Sequence, residues 1–154
     1  MPTPLEKVKR YLNSMRLTYD VYCPKGEVAR LVVPYNFTEQ NLEYNVIIEQ
    51  SKDWIKFWAP LLSHDNIADE KVREALYREL LVANGALAEV KYYLTEQGDI
   101  GIIGHEGVRS LSVDGFRQEF LAIPHGIEYF LAKIAGKLNL HVSPPSKETL
   151  SIYT

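Results

Sequence analysis

The stretch Tyr44-Asn45-Val46-Ile47-Ile48-Glu49-Gln50-Ser51-Lys52-Asp53-Trp54-Ile55-Lys56-Phe57-Trp58-Ala59 decides the fold. β-Branched and aromatic residues fill both of its arms, and Ser51-Lys52-Asp53 interrupts them with the short polar residues of a turn. Two such arms joined by three residues read as an antiparallel hairpin over 44–50 and 54–59. Successive side chains on a strand point to opposite faces. Tyr44, Val46 and Ile48 therefore share one face while Ile47 takes the other. Trp54 and Trp58 flank Lys56 on one side, and Ile55 and Phe57 occupy the opposite side. A sheet solvated on one face would keep its outward positions polar. This one is apolar on both.

Working toward the N-terminus, residues 28–34 read as a strand that either ends at Pro34 or lies at a sheet edge, because Pro34 has no N–H for a ladder. Pro24-Lys25-Gly26 is a turn. Before it, Leu17, Tyr19, Val21 and Cys23 alternate with Thr18, Asp20 and Tyr22, which predicts a strand over 17–23 with Cys23 as a small buried hydrophobe. Thr3-Pro4-Leu5-Glu6 combines a cap, a proline at the first helical position and a capping box, and Leu5, Val8, Leu12 and Met15 continue at helical spacing. A helix over 4–15 follows.

Toward the C-terminus, Val72, Leu76, Leu80 and Ala83 form the buried stripe of a helix over 69–83, capped by Asp69 and stopped by Asn84-Gly85. Val90, Tyr92 and Leu94, the turn Glu96-Gln97-Gly98-Asp99, and residues 100–105 make a second hairpin. It is again apolar on both faces, with Tyr92 against Tyr93 and Ile102 against Ile103. From Ser112 the helical period returns through Phe116, Phe120, Ile123, Ile127, Phe130, Leu131 and Ile134. Pro124 is predicted to kink or divide this last helix near Ala122. The order is helix, antiparallel strand meander, helix, β-hairpin, helix: an α+β domain over residues 1–140, with 141–154 as a flexible C-terminal tail.

At 154 residues the chain has the size of one domain, and 46% hydrophobic with 24% charged residues is a globular balance. The net charge of −3 comes without a basic cluster, so no nucleic acid is expected as a partner. No apolar run approaches the roughly 20 residues of a membrane helix, and no signal-type segment follows Met1, so no membrane association and a cytoplasmic location are expected. The single cysteine excludes an internal disulfide and a multi-cysteine zinc site.

Three helices suffice to cover one sheet face. The second is either buried by one helix crossing to it, covered by a second copy or a partner chain, or hollowed into a small-molecule pocket. For a partner surface the residues to nominate are Trp54, Trp58, Tyr93 and Ile103.

The element order resembles the type III secretion chaperone-like fold and, within it, the YbjN-like family. The residues that carry the resemblance begin with Leu76-Tyr77-Arg78-Glu79-Leu80-Leu81-Val82-Ala83-Asn84-Gly85, running into Glu89-Val90-Lys91-Tyr92-Tyr93-Leu94. The turn Glu96-Gln97-Gly98-Asp99-Ile100 and the final helix around Phe116, Phe120 and Tyr129 complete it. The resemblance spans about residues 5–140 and implies a non-enzymatic, homodimeric domain that holds a protein client or regulatory partner. The strand predicted over 17–23 is a departure from the family pattern.

Chemistry is sparse. His64 with Asp65 and Asp69 matches no metal-ligand spacing, and Asp69 is better used as a cap. His105-Glu106 could supply a general base beside a small-ligand pocket, the alternative function, but no nucleophile or second carboxylate accompanies it. His125 and His141 read as solvated, and Ser110 and Ser112 as caps of the last helix. Gly98, Gly101, Gly104 and Gly107 lack the Lys-Ser/Thr of a phosphate loop and suit a bend or a close backbone approach. No catalytic residue, metal or cofactor is expected.

Overall fold

Residue 27 and residues 146–154 aside, the computed structural model describes the whole chain. Of the tail expected over 141–154, residues 146–154 lie outside the described residues, and Val142 within it packs on the core. Helix α1 (Pro4–Ser14) starts as its sequence demands. Thr3 Oγ1 accepts from the Glu6 N–H at 3.2 Å, and the Glu6 carboxylate accepts from the Thr3 N–H at 3.1 Å. Its far end closes in a Schellman turn: Arg16 is left-handed (φ 59), its N–H donates to the Asn13 carbonyl, and the Leu17 N–H donates to the Leu12 carbonyl.

That turn consumes Leu17, and the strand expected over 17–23 shrinks to β1 (Asp20–Tyr22), three exposed residues. Cys23 lies beyond its end and is exposed, not buried. Strand β2 (Arg30–Phe37) runs on through Pro34. β1 flanks only Arg30–Val32, so at Pro34 the strand lies on the sheet edge, where a missing donor is tolerated. β3 (Leu42–Gln50) and β4 (Trp54–Leu62) form the predicted hairpin, with Ile47 opposite Trp58 and Glu49 opposite Lys56.

Asp69 caps α2 (Glu70–Ala86) by accepting from the backbone of Lys71 and Val72. The helix runs through the predicted stop at Asn84-Gly85, because Asn84 is used by its side chain. Its carboxamide accepts from the Tyr92 N–H at 2.8 Å and donates to the Tyr92 carbonyl at 3.1 Å. β5 (Lys91–Leu94) and β6 (Ile100–Gly107) are joined through Gly98 at φ 90. Ser112, but not Ser110, caps α3 (Val113–Tyr129).

Pro124 does not divide α3, which continues into a π-helical segment, Phe130–Ala135. Proline withholds one donor, and the burial of Ile123, Pro124 and Ile127 against the sheet offsets the lost bond. The Tyr92 hydroxyl donates to the Gly126 carbonyl at 2.6 Å, one turn before the widened segment. At Gly126 the helix backbone comes so near the sheet that a Cβ would stand 2.1 Å from Ile102 Cδ1.

The six strands form one antiparallel sheet in the order β1-β2-β3-β4-β6-β5. Val8 and Leu12 of α1, Leu76 and Leu80 of α2, and Phe116, Phe120 and Ile127 of α3 share one core with Leu31, Val46, Ile48, Phe57 and Ile102. All three helices thus lie on one face. No described helix crosses to the other.

Candidate functional site

The face away from the helices carries its own small cluster. The register sets Val32, Ile47, Trp58 and Ile103 side by side across four strands. Val32, Ile47 and Trp58 are buried there, with Tyr93 and Ile103 packed on them half-buried. Of the four nominated residues, Trp54 is open at 52% exposure and Trp58 is closed at 4%. Long neighbours do part of this covering: Lys56 Nζ sits 5.6 Å from the Trp58 ring centroid. Tyr93 crosses Gly101 so closely that a Cβ there would meet its ring carbon at 2.3 Å. Gly101 and Gly104 serve close approach, on opposite faces, since Gly104 makes room for Phe57 on the helix side.

Beside this cluster runs a polar row of Arg30, Glu49, Lys56 and His105. Glu49 accepts from Arg30 Nε at 2.9 Å and from Lys56 Nζ at 2.6 Å. Burial works to raise the Glu49 carboxyl, but the hydrogen bonds and charges of Lys56 and Arg30 outweigh it and hold it below the usual range. His105 stacks edge-on to Trp54 at 6.1 Å, and partial burial followed by the Lys56 charge lowers its pKa. These side chains, with Val28 and Ser51, line an open trough of about 520 Å³.

Glu106 belongs to the other face. Consecutive strand residues point oppositely, so His105 faces the trough and Glu106 the helix side of the sheet. Glu106 is buried beside the start of α3, its Oε2 without a hydrogen-bond partner in the protein. Burial raises its carboxyl, and the Ser112 backbone N–H pulls the other way. His64 opens a short 3-10 helix, His64–Asn66: its backbone N–H donates to Asp99 Oδ1 at 2.8 Å and its ring rests on Gly98. His125 and His141 are exposed. Among the described residues no group of three or more His, Cys, Asp or Glu side chains could hold a metal ion. No described helix is long and apolar enough to cross a membrane.

A second apolar surface was not anticipated. Leu81 (72% exposed) on α2 stands near Leu94 (52%) on the edge strand β5, while Val82 (65%) is exposed on the other flank of the helix. Between α2 and β5 a groove of about 170 Å³ is lined by Tyr77, Leu81, Asn84 and Leu94 among others. The signal was in the periodicity: Leu81 and Val82 fall off the 72, 76, 80, 83 stripe yet are apolar.

No family model matches the chain, and no curated protein sequence matches it. Solved structures do. YbjN from E. coli superposes with a TM-score of 0.60 at 16% identity, covering 94% of this chain and 97% of its own. An uncharacterized protein from Methanothermobacter thermautotrophicus gives 0.63 at 14% identity, covering 88% of this chain and 99% of its own. A chain of the heterodimeric ExoU–SpcU complex from the type III secretion system of Pseudomonas aeruginosa gives 0.52 at 14% identity, covering 80% and 94%. At these identities the likeness is one of fold.

Proposed function

We propose that this chain, which has the YbjN-like, type III secretion chaperone-like fold, is a non-enzymatic protein-binding domain that works in the cytoplasm as a homodimer. The observation that carries the reading is where apolar side chains meet water. Leu81 and Leu94 gather at one end of the sheet; at the other end Trp54 stands over the trough that Val28 helps to line. Aromatic and aliphatic groups on rigid elements, with no catalytic pair near them, are suited to gripping a polypeptide. The α2–β5 end serves the second copy: in a two-fold interface one patch meets itself, so the exposed Leu81 and Leu94 side chains pack on those of the other copy. Trp54, Tyr93 and Ile103 meet the client or regulatory partner, with Trp58 supporting them from below. The ExoU–SpcU neighbour is itself part of a two-protein complex, which supports the partner half of the reading.

Sedimentation velocity tests the dimer. The parent protein at micromolar concentration should run as a dimer and Leu81→Asp as a monomer, with unchanged circular dichroism. A monomeric parent ends the homodimer reading. Trp54→Ala, leaving the dimer intact, should lose partner protein in a pull-down from native lysate; undiminished capture ends the assignment of Trp54.

A further inference from the structure

A third cavity lies where the end of α1 meets α3 and β2. It measures about 300 Å³, within the small-ligand range, and two arginines line it, Arg16 and Arg117. No acidic side chain does. Met15 and Leu121 supply apolar floor; Tyr35 and Ser14 also line it, the Ser14 hydroxyl donating to the Tyr11 carbonyl at 2.6 Å. Among the described residues neither guanidinium makes an ion pair, although Asp114 precedes Arg117 by one helical turn. In the trough of the open sheet face, by contrast, Glu49 answers Arg30 and Lys56. Arg16 and Arg117 are both exposed, so their charges are open to a ligand that enters the cavity.

The C-terminal end of α1 accounts for one cation at most, since its unpaired carbonyls carry partial negative charge. Arg117 comes from inside α3 and is one more than that helix end asks for. Arg16 also occupies the position of the Schellman turn where glycine is the unstrained choice, and it does so at φ 59.

We infer that this cavity binds a small organic anion, its phosphate or carboxylate group held by Arg16 and Arg117 and its apolar body on Met15 and Leu121. Guanidinium forks match both oxyanions in bidentate geometry, and the Tyr35 hydroxyl adds a donor. This site is independent of the protein-binding surfaces, on other residues and in another cavity.

Calorimetric titration with phenyl phosphate, benzoate, inorganic phosphate and uncharged benzyl alcohol tests the inference. Phenyl phosphate or benzoate should bind saturably, and which of the two binds tighter identifies the headgroup. Inorganic phosphate should bind more weakly than phenyl phosphate, and benzyl alcohol not at all. Arg117→Gln and Arg16→Gly should each weaken binding roughly tenfold or more, the worth of a lost charge-assisted contact. Arg109→Gln, an exposed arginine outside the cavity, should not change it. Arg16→Gly relieves the left-handed strain, so its melting temperature should equal or exceed the parent's, and a loss of binding there cannot be unfolding. Absence of saturable binding by both aromatic anions, or binding that survives both cavity substitutions, overturns the site.

Discussion

Replacing Asn84 by alanine removes a side chain that stands in for a seventh strand. Its carboxamide makes both bonds that a neighbouring peptide would make to Tyr92, at 2.8 and 3.1 Å, on the outer edge of β5. Two neutral hydrogen bonds at about 1 kcal/mol each give about 2 kcal/mol. Alanine's better helix propensity returns roughly 0.5 kcal/mol. The net loss of about 1.5 kcal/mol corresponds to a melting temperature about 3–6 °C lower for a chain of this length. The Lys91 ammonium bonds to the backbone carbonyls of Asn84 and Leu87, so that link survives the substitution. Calorimetry reads the stability, and amide hydrogen exchange reads the mechanism. The Tyr92 amide should lose protection in Asn84→Ala while Ile102, deep in β6, keeps it. An open edge also invites strand pairing between molecules, so light scattering should rise with concentration. Asn84→Asp refines the test. A carboxylate can still accept from the Tyr92 N–H but cannot donate to the Tyr92 carbonyl, so Asn84→Asp should keep the protection of the Tyr92 amide that Asn84→Ala loses. Unchanged Tyr92 protection in Asn84→Ala would refute the clamp.

Three further outcomes are expected. The Tyr44 hydroxyl is fully buried without a partner, and burial pushes its pKa well up; Tyr44→Phe should leave stability unchanged or raise it by about 1 kcal/mol, measured by urea unfolding. Burial raises the Glu106 carboxyl, so the folded state favours its protonated form and its penalty is present at neutral pH and removed as pH falls through the raised folded pKa. Glu106→Gln should therefore stabilise most near neutrality, with the advantage fading toward the unfolded carboxylate range. It should also lower the pKa of Glu119, which burial and the charges of Glu89 and Glu106 raise, as side-chain NMR titration would report. Gly126→Ala should destabilise by about 1–3 kcal/mol through overpacking. On an Ile102→Val background, which deletes the atom in the way, its cost should shrink by at least about 0.5 kcal/mol in a double-mutant cycle.

Local chemistry made much of this architecture legible in advance. The capping box at Thr3 and Glu6, the cap at Asp69 and the alternation through Tyr44 to Ala59 each depend on residues within a turn of one another, and each appears as read. Apolar residues on both sheet faces were equally plain, because strand parity needs no tertiary information. Where the reading failed, a distant partner had intervened. Asn84 looked like a stop signal because its use by Tyr92 lies across a loop. Pro124 looked like a break because the burial that offsets it comes from the sheet.

The sequence by itself determined most of the strands and helices, their order, and which side chains share a face, since backbone geometry and nearest-neighbour chemistry settle those; the strand read over 17–23 is the exception, cut to Asp20–Tyr22 by the turn at Arg16 and Leu17. Only the tertiary structure decided that every helix packs on one face, that Trp58 is closed while Trp54 stays open, and that Arg16 and Arg117 meet at one cavity. Those outcomes depend on contacts between residues far apart in the chain, and spacing along a sequence does not encode distance in space.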